Sequence, residues 1–374
     1  MVRVLHYVGR MNRGGMEMLI MNLYRKIDRE KMQFDFAVHG DSAGDFEEEI
    51  INMGGSFYYF PHMRKNPRAY RKAWRSFWEE NKNKYTAFHM HTNSLANIIA
   101  LEEATRVGIP VRIVHSHSSM ANKGRLQWLN DTLHILHRKK LPRLATHLFA
   151  CSDKAAEWLF GGNELGNLSV CQINNGVDTQ KFKFDEQKRV ELRNKLGIED
   201  AKVIGHVGTF MPVKNHTYII DVVEQAYKKD SHIKCLLIGT GPLQEEIKEL
   251  ARHKGLEDIV LFMGSCENVH ELMSAMDIFL MPSLYEGLPV SLVEVQTNGL
   301  PALVSDTITK DVYLRDNLHY FSLSEGAERW ADKALSIMKN QIHMNGVECI
   351  VDGGFDITNT ALLYENIILK GEKS

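Results

Sequence analysis

The chain has 374 residues, 44% apolar and 25% charged, with a formal net charge of −2; that length predicts two globular domains, and the near-neutral balance leaves electrostatic function to local patches. Five scattered cysteines without a C-x-x-C pair argue against a disulfide framework or a thiolate zinc site and point to a reducing compartment. No run of 18 or more apolar residues predicts a membrane span.

The first residues, MVRVLHYV, enter a strand directly, so no secretory signal is expected. Short apolar runs follow, each ending in Gly, His or Ser before a helical pattern. They fall at 2–8, 34–40, 87–92, 111–117 and 147–152, then at 203–208, 233–239, 259–264, 278–283 and 301–306. Apolar throughout rather than alternating, they predict parallel strands covered on both faces. Alternation with helices predicts βαβ units in doubly wound, Rossmann-like sheets. Binding groups then belong at the strand carboxyl ends and in a cleft between the domains.

After the first run, Gly14 and Gly15 open a helix, where a missing Cβ lets a ligand approach the backbone; a simple tight turn explains them equally. Residues 63–84 carry eight Lys/Arg with Tyr70, Trp74, Phe77 and Trp78 interleaved at helical spacing. They predict either an amphipathic helix with a solvated basic face or a surface for anionic lipid headgroups through residues such as Arg71 and Trp74. KGRLQWLNDTLHILHRKKLPR (123–143) is a second basic, partly aromatic stretch. AFHMHT (87–92) and RIVHSHSS (112–119) end strands in paired histidines. His91 reads as structural, and His115 and His117 as groups facing a cleft or as satisfied buried imidazoles.

The charged stretch 174–200 opens on Asn-Asn-Gly and reads as a linker with an exposed helix. It divides a 1–185 domain from a 186–374 domain, with the C-terminal helix a candidate to return to the first. Beyond it, a glycine strand end at Gly208 precedes Lys214. Gly239–Thr240–Gly241 is a lone G-x-G that Pro242 explains as a helix start. In SLYEGLPVSLVEV (283–295), Glu286 and Glu294 stand eight residues apart. On one helix that is about 12 Å. The amides of Gly287 and Leu288 would cradle a pyrophosphate at the helix N-terminus, and each carboxylate would accept bonds from sugar and ribose hydroxyls. A Glu favoured by the helix dipole plus a solvent-facing Glu fits the spacing equally. Helices are predicted at 327–341 and 359–374, and 342–358 is unassigned.

Several motifs in order resemble the retaining, GT-B-fold glycosyltransferases of family 4, the "glycosyl transferases group 1" proteins. MDIFLMPSLYEGLPVSLVEVQTNGLPALVSD resembles their E-x7-E signature. MNRGGMEMLIMNLYR resembles their N-terminal glycine loop, and INNGVDTQKF their interdomain motif. GHVGTFMPVKNH resembles their G-R-L-x-x-x-K-N/G loop, and LLIGTGPLQEEI their G-x-G-P strand end. The resemblance spans residues 2 to about 310. It implies two Rossmann-like domains facing across a cleft. Glu286 would contact the transferred sugar and Glu294 the ribose. Gly287, Leu288 and the neighbours of Pro289 would approach the sugar and diphosphate. Lys214 would neutralise the leaving diphosphate, and a histidine, His117 in preference to His115, would lie near the reacting sugar. The family places Arg after the glycine at 208; here it is Thr209, which lacks the bidentate charged fork. That leaves the phosphate to Lys214 with amides, or to Arg10 or Arg13.

The expected function is transfer of a sugar from a nucleotide-sugar, UDP-sugar above all, to a sugar or lipid-linked sugar acceptor with retention, in bacterial surface-polysaccharide assembly. No cofactor, no metal and no nucleic acid is expected. The expected location is the cytoplasm, at the inner face of the plasma membrane through a peripheral contact. Two other readings fit the same scaffold: a UDP-sugar epimerase, and a non-catalytic nucleotide-sugar-binding protein.

Overall fold

All ten apolar runs form strands in a computed structural model that describes residues 1–12, 14–40, 42, 44–118, 127–340 and 343–370. The strands are β1 Val2–Tyr7, β2 Met32–His39, β3 Phe57–Phe60, β4 Ala87–Thr92, β5 Val111–Ser116, β6 His147–Ala150, β7 Glu164–Leu165 and β8 Leu168–Gln172, then β9 Lys202–Val207, β10 Ile233–Ile238, β11 Val260–Gly264, β12 Ile278–Met281, β13 Ala302–Ser305 and β14 Leu318–Phe321. Among the described residues they build two sheets, ordered β3-β2-β1-β4-β5-β6-β8-β7 and β11-β10-β9-β12-β13-β14. Every pairing is parallel except the β7–β8 hairpin.

The four strands not predicted from sequence are β3, β7, β8 and β14. They lie at or next to sheet edges and are only partly covered. A strand with one open side needs no continuous apolar run, so it carries no such signature.

The chain divides into two compact units. The first is Met1–Gly176 with the returning helix Ile357–Lys370, and the second is Val177–Asp356. The division falls at 176/177 rather than near 185. Residues from Val177 onward are tied to second-unit elements: the Val177 amide donates to the Phe355 carbonyl at 2.8 Å and Thr179 Oγ1 to Asp356 Oδ2 at 2.6 Å. Each sheet carries helices on both faces. In the first unit one face holds Trp74, Phe88, Leu101 and Leu159; the other holds Ile20, Phe34, Phe149 and Tyr364. In the second, one face holds Phe279, Val293 and Ile350, and the other Ile220, Ile247 and Trp330. Among the described residues no helix is long and apolar enough to cross a membrane.

The basic, aromatic stretch forms the helix Pro67–Asn81, opened by Asn66, whose side chain accepts from the Ala69 amide. Its aromatics turn inward: Tyr70, Trp74 and Trp78 are fully buried, and Trp74 stacks on Phe60 with centroids 3.9 Å apart. Trp74 is therefore a core residue and does not face a membrane or an acceptor. An apolar stripe at i, i+4, i+8 goes to the nearest core, here the sheet beside it. Arg71 lies on the outer face but pairs with Glu102 at 3.0 Å, alongside the buried Glu103 that Arg75 and Arg106 also hold. Trp74→Ala should cost about 3–5 kcal/mol of unfolding free energy and Arg71→Ala less than about 1. Denaturant unfolding of the two variants checks both, and equal costs would contradict the assignment.

Candidate functional site

In the second sheet the winding reverses between β9 and β12: β10 and β11 lie on one side of this pair, β13 and β14 on the other. Loops leaving the carboxyl ends of two such strands diverge, and the crevice between them is where open α/β sheets bind ligands. β9 runs into Gly208–Met211 and the 3-10 turn Pro212–Lys214. β12 runs into residues 282–289 and then the helix Val290–Asn298.

Three contacts fasten these two loops together. The Leu284 amide donates to the Val213 carbonyl at 2.8 Å. Asn215 Nδ2 donates to the Pro282 carbonyl at 3.1 Å. Between them Lys214 Nζ meets Glu286 Oε1 at 2.7 Å, with the side chains 19% and 12% exposed. Asn215 has φ 56°, the one non-glycine residue with positive φ among the described residues. Asn tolerates this left-handed geometry better than most residues. It is the N-cap of the helix His216–Lys229 but its side chain makes no capping bond, because that side chain reaches across to the other loop.

Lys214 is seated by glycine. A Cβ on Gly208 would stand 2.8 Å from His206 Nε2 and 3.5 Å from Lys214 Cδ and Cε. Gly239 and Gly241 hold this loop from the β10 side. At Gly239, φ is +135° and a Cβ would fall 2.1 Å from the Gly208 carbonyl oxygen; at Gly241 it would fall 2.6 Å from the Phe210 amide. The G-x-G before Pro242 is thus a packing requirement of the neighbouring loop; the helix it precedes starts later, at Gln244. Thr209 is exposed, and its carbonyl accepts from the Met211 amide at 2.7 Å.

The helix geometry expected for the two glutamates does not hold. Glu286 stands in the loop, and Pro289, buried, is the N-cap of a helix that begins at Val290. The amides opening its first turn therefore belong to Val290 and Ser291, not to Gly287 and Leu288. Gly287 is exposed with nothing near its missing Cβ. Glu294 is half-buried on the helix. Among the described residues its carboxylate has no hydrogen-bond partner. Burial pushes its pKa up to about 7, with Lys181 pulling it down. Lys181 follows Asp178, whose side chain caps the turn Thr179–Phe182, and Asn298 Nδ2 ties that turn to the glutamate's helix through the Phe182 carbonyl at 3.1 Å. Lys181 and Asn215 were not singled out in the sequence, though both sit inside the motifs that carry the family resemblance. A recess of about 480 Å³ lies apart from the Lys214–Glu286 pair and shares Lys181 with the surroundings of Glu294.

In the first unit, Gly14 is the N-cap of the helix Gly15–Lys26, and a Cβ there would meet Glu17 Oε2 at 2.4 Å; Gly15 has open space. Arg10 is exposed, and Arg13 lies outside the described residues. His115 does not face outward: it is 1% exposed. It belongs to a ladder of five imidazoles on one sheet face, because H-x-H on a strand points both rings the same way and β4 and β5 align His91 with His115. His6 Nδ1 meets His91 Nε2 at 2.9 Å, and His91 Nδ1 meets His117 Nε2 at 2.8 Å. Alongside, Tyr364 Oη meets His89 Nδ1 at 3.0 Å, and His89 Nε2 meets His115 Nδ1 at 3.2 Å. Burial lowers the pKa of all five, His6 and His117 to about 3, so the rings are neutral. Among the described residues two groups of three, His6–His89–His91 and His91–His115–His117, stand close enough to share a metal ion. No metal is expected from the sequence; the strand spacing H-x-H on adjacent strands is the signal that marks these groups.

Comparison with known proteins adds an independent line. Residues 188–347 match the family model "Glycosyl transferases group 1" and residues 13–181 match "Glycosyltransferase Family 4". The chain is 39% identical to the putative glycosyltransferase EpsF of Bacillus subtilis (strain 168), over 88% of this chain and 86% of the relative. It is 28% identical to the UDP-Gal:alpha-D-GlcNAc-diphosphoundecaprenol alpha-1,3-galactosyltransferase of Escherichia coli, over 60% of this chain and 59% of that one. The crystal structure of Anabaena Alr3699/HepE in complex with UDP superposes with TM-score 0.76 at 16% identity, covering 99% of this chain and all of that one. The shared architecture is the two-sheet GT-B fold.

Two measurements test the site. Folded Glu294 holds its proton up to about pH 7, against an ordinary carboxyl at 4.5. Between those values the unfolded chain has already released that proton, so stability falls as pH rises. Glu294→Gln should therefore be more stable than the parent at pH 8 by up to about 3 kcal/mol and indistinguishable at pH 4; an equal or lower stability at pH 8 contradicts the burial argument. Gly239→Ala should cost roughly 2 kcal/mol or more through backbone clash and strain, where an unstrained glycine would lose nothing.

Proposed function

This chain belongs to the glycosyltransferases of group 1 and family 4, and we propose that it moves a hexosyl group from a UDP-sugar to a sugar or lipid-linked sugar acceptor with retention of configuration. The observation that carries this reading is the Lys214–Glu286 pair at the reversal point of the second sheet. In the reaction the bond from the anomeric carbon to the diphosphate oxygen breaks, a bond to an acceptor hydroxyl oxygen forms, and that hydroxyl loses its proton. Lys214 leaves Glu286 for the diphosphate and offsets the negative charge that develops on the departing oxygen. Glu286 then accepts hydrogen bonds from the sugar hydroxyls. Glu294, without a hydrogen-bond partner among the described residues, accepts from the ribose. Gly208, Thr209 and Gly287 bring backbone close to the donor, and the amides of Val290 and Ser291 face the phosphates at a helix N-terminus. Thr209 adds no charge, so the cation is Lys214, with Arg10 a second candidate from the first unit. There Gly14 and Gly15 would approach the donor, and His117 the sugar.

UDP as the donor's nucleotide is supported by the name of the Escherichia coli relative and by the UDP in the Anabaena structure. A lipid-linked acceptor is supported by the same relative's diphosphoundecaprenol. A peripheral contact with the cytoplasmic face of the plasma membrane is supported by the helix Gln127–Arg138. It exposes Trp128, Leu129, Ile135 and Leu136 and is followed by the exposed bases Lys139, Lys140 and Arg143, the composition of an interfacial helix on anionic lipid.

Glu286→Gln keeps a side chain that accepts from Lys214, so it should fold as the parent does and lose transfer by about 10²–10³-fold; Lys214→Ala should lose at least as much. Transfer assays with UDP-sugars and a lipid-linked acceptor, set beside thermal shifts with UDP-, GDP- and ADP-sugars, check both points. Full activity in Glu286→Gln would remove that residue from the mechanism, and stabilisation by GDP- or ADP-sugars alone would overturn the donor.

A further inference from the structure

We propose that His91, His115 and His117 bind one divalent transition-metal ion of the class that favours imidazole nitrogen, with Zn²⁺ the prime case. The ligand atoms of the three residues lie within 4.8 Å of one another. They come from the neighbouring strand β4 and from β5 with the residue just past its end, two elements that the sheet holds in fixed register. Among the described residues His115 Nε2 is buried with no partner, and so is His117 Nδ1. A buried imidazole nitrogen without a partner forfeits the hydrogen bond it would make in water. Placing an ion on His115 Nε2 removes one such deficit.

The ion would sit between His115 Nε2, His91 Nδ1 and His117 Nε2. The last two stand 2.8 Å apart, and nitrogens sharing a tetrahedral Zn²⁺ stand about 3.3 Å apart, so a shift of about half an ångström opens the site. One tautomer pattern then fits the remaining contacts with every ring neutral, leaving only the His6 Nε2 and His117 Nδ1 protons unpartnered among the described residues. His91 Nε2–H donates to His6 Nδ1. His115 Nδ1–H donates to His89 Nε2, whose Nδ1–H donates to Tyr364 Oη. These are the contacts already present at 2.9, 3.2 and 3.0 Å. Each imidazole keeps one proton, and none is released. A ligating histidine ordinarily has its other nitrogen oriented by such a partner; His6 does this for His91, and His89 with Tyr364 does it for His115. The deeper group, His6–His89–His91, is the weaker site because both nitrogens of His89 are already held by Tyr364 and His115. Three imidazoles and no carboxylate select against Mg²⁺ and Ca²⁺. The fourth position is left for water or a ligand oxygen.

The site lies wholly in the first unit and its readout is metal binding, so its failure leaves the donor reading untouched. The test is titration of the full, chelator-treated chain with Zn²⁺ by calorimetry, and with Co²⁺ by the visible absorption of a tetrahedral nitrogen-ligated ion. One equivalent per chain is expected, with a rise in thermal midpoint on loading. His117→Ala and the bulk-retaining His117→Gln should each abolish the Co²⁺ spectrum, and Tyr364→Phe should weaken binding roughly tenfold, with circular dichroism confirming the fold. Absence of a stoichiometric ion, or a Co²⁺ spectrum unchanged in either folded His117 variant, overturns the proposal.

Discussion

Lys214 and Glu286 are 72 residues apart in sequence, and their contact depends on a single topological fact. The chain lays β9 and β12 side by side while β10–β11 and β13–β14 wind away on opposite flanks. The loop after β9 leads to a helix on one face of the sheet and the loop after β12 to a helix on the other, and the two loops meet over the gap. The contact is then held from both sides by backbone, through Leu284 to Val213 and Asn215 to Pro282. A cation held on a loop fixed in this way suits a reaction that generates charge on a leaving group, because only the Lys214 side chain need turn from Glu286 while the backbone beneath it stays in place.

The two units share an architecture and differ in what occupies the carboxyl ends of their strands. The second unit places opposite charges there, partly covered, each balancing the other. The first places neutral imidazoles, ringed by Phe34, Phe149 and Tyr364. Desolvation first, and repulsion between neighbouring rings second, explain the neutrality, because cations within one apolar layer would forgo hydration and repel one another. Tyr364 comes from the helix Ile357–Lys370, after the whole second unit has been traversed. The last helix of the chain thus completes the surroundings of residues contributed by β1, β4 and β5.

Sequence made the central strands legible because a parallel strand covered on both faces must be apolar at every position. The strands β3, β7, β8 and β14, at or beside sheet edges, escaped because that requirement relaxes there, although β11, also at an edge, kept its apolar run. The motif loops were legible as loops, but their internal geometry was not. The spacing between Glu286 and Glu294 suggests one helix, whereas Pro289 starts the helix later and puts the first glutamate on a separate segment. Trp74 shows the converse limit: bases and aromatics alternate identically in a membrane-facing helix and in one packed on its own sheet. Only the neighbours, here Phe60, Tyr7 and Phe88, decide between them.

The glycines make the same point in a form that bears on function. Gly239 and Gly241 are glycines because the loop after β9 occupies the space a Cβ would need, and Gly208 because Lys214 and His206 do. Gly15 and Gly287 have no such neighbour and no positive φ. The fold leaves room for a Cβ at both, as it does at Gly9. Both positions stand near the start of a helix that follows a strand of a parallel sheet, where a bound anion presses closest on the backbone. Neither class of glycine can be told from the other by the letter G in the sequence.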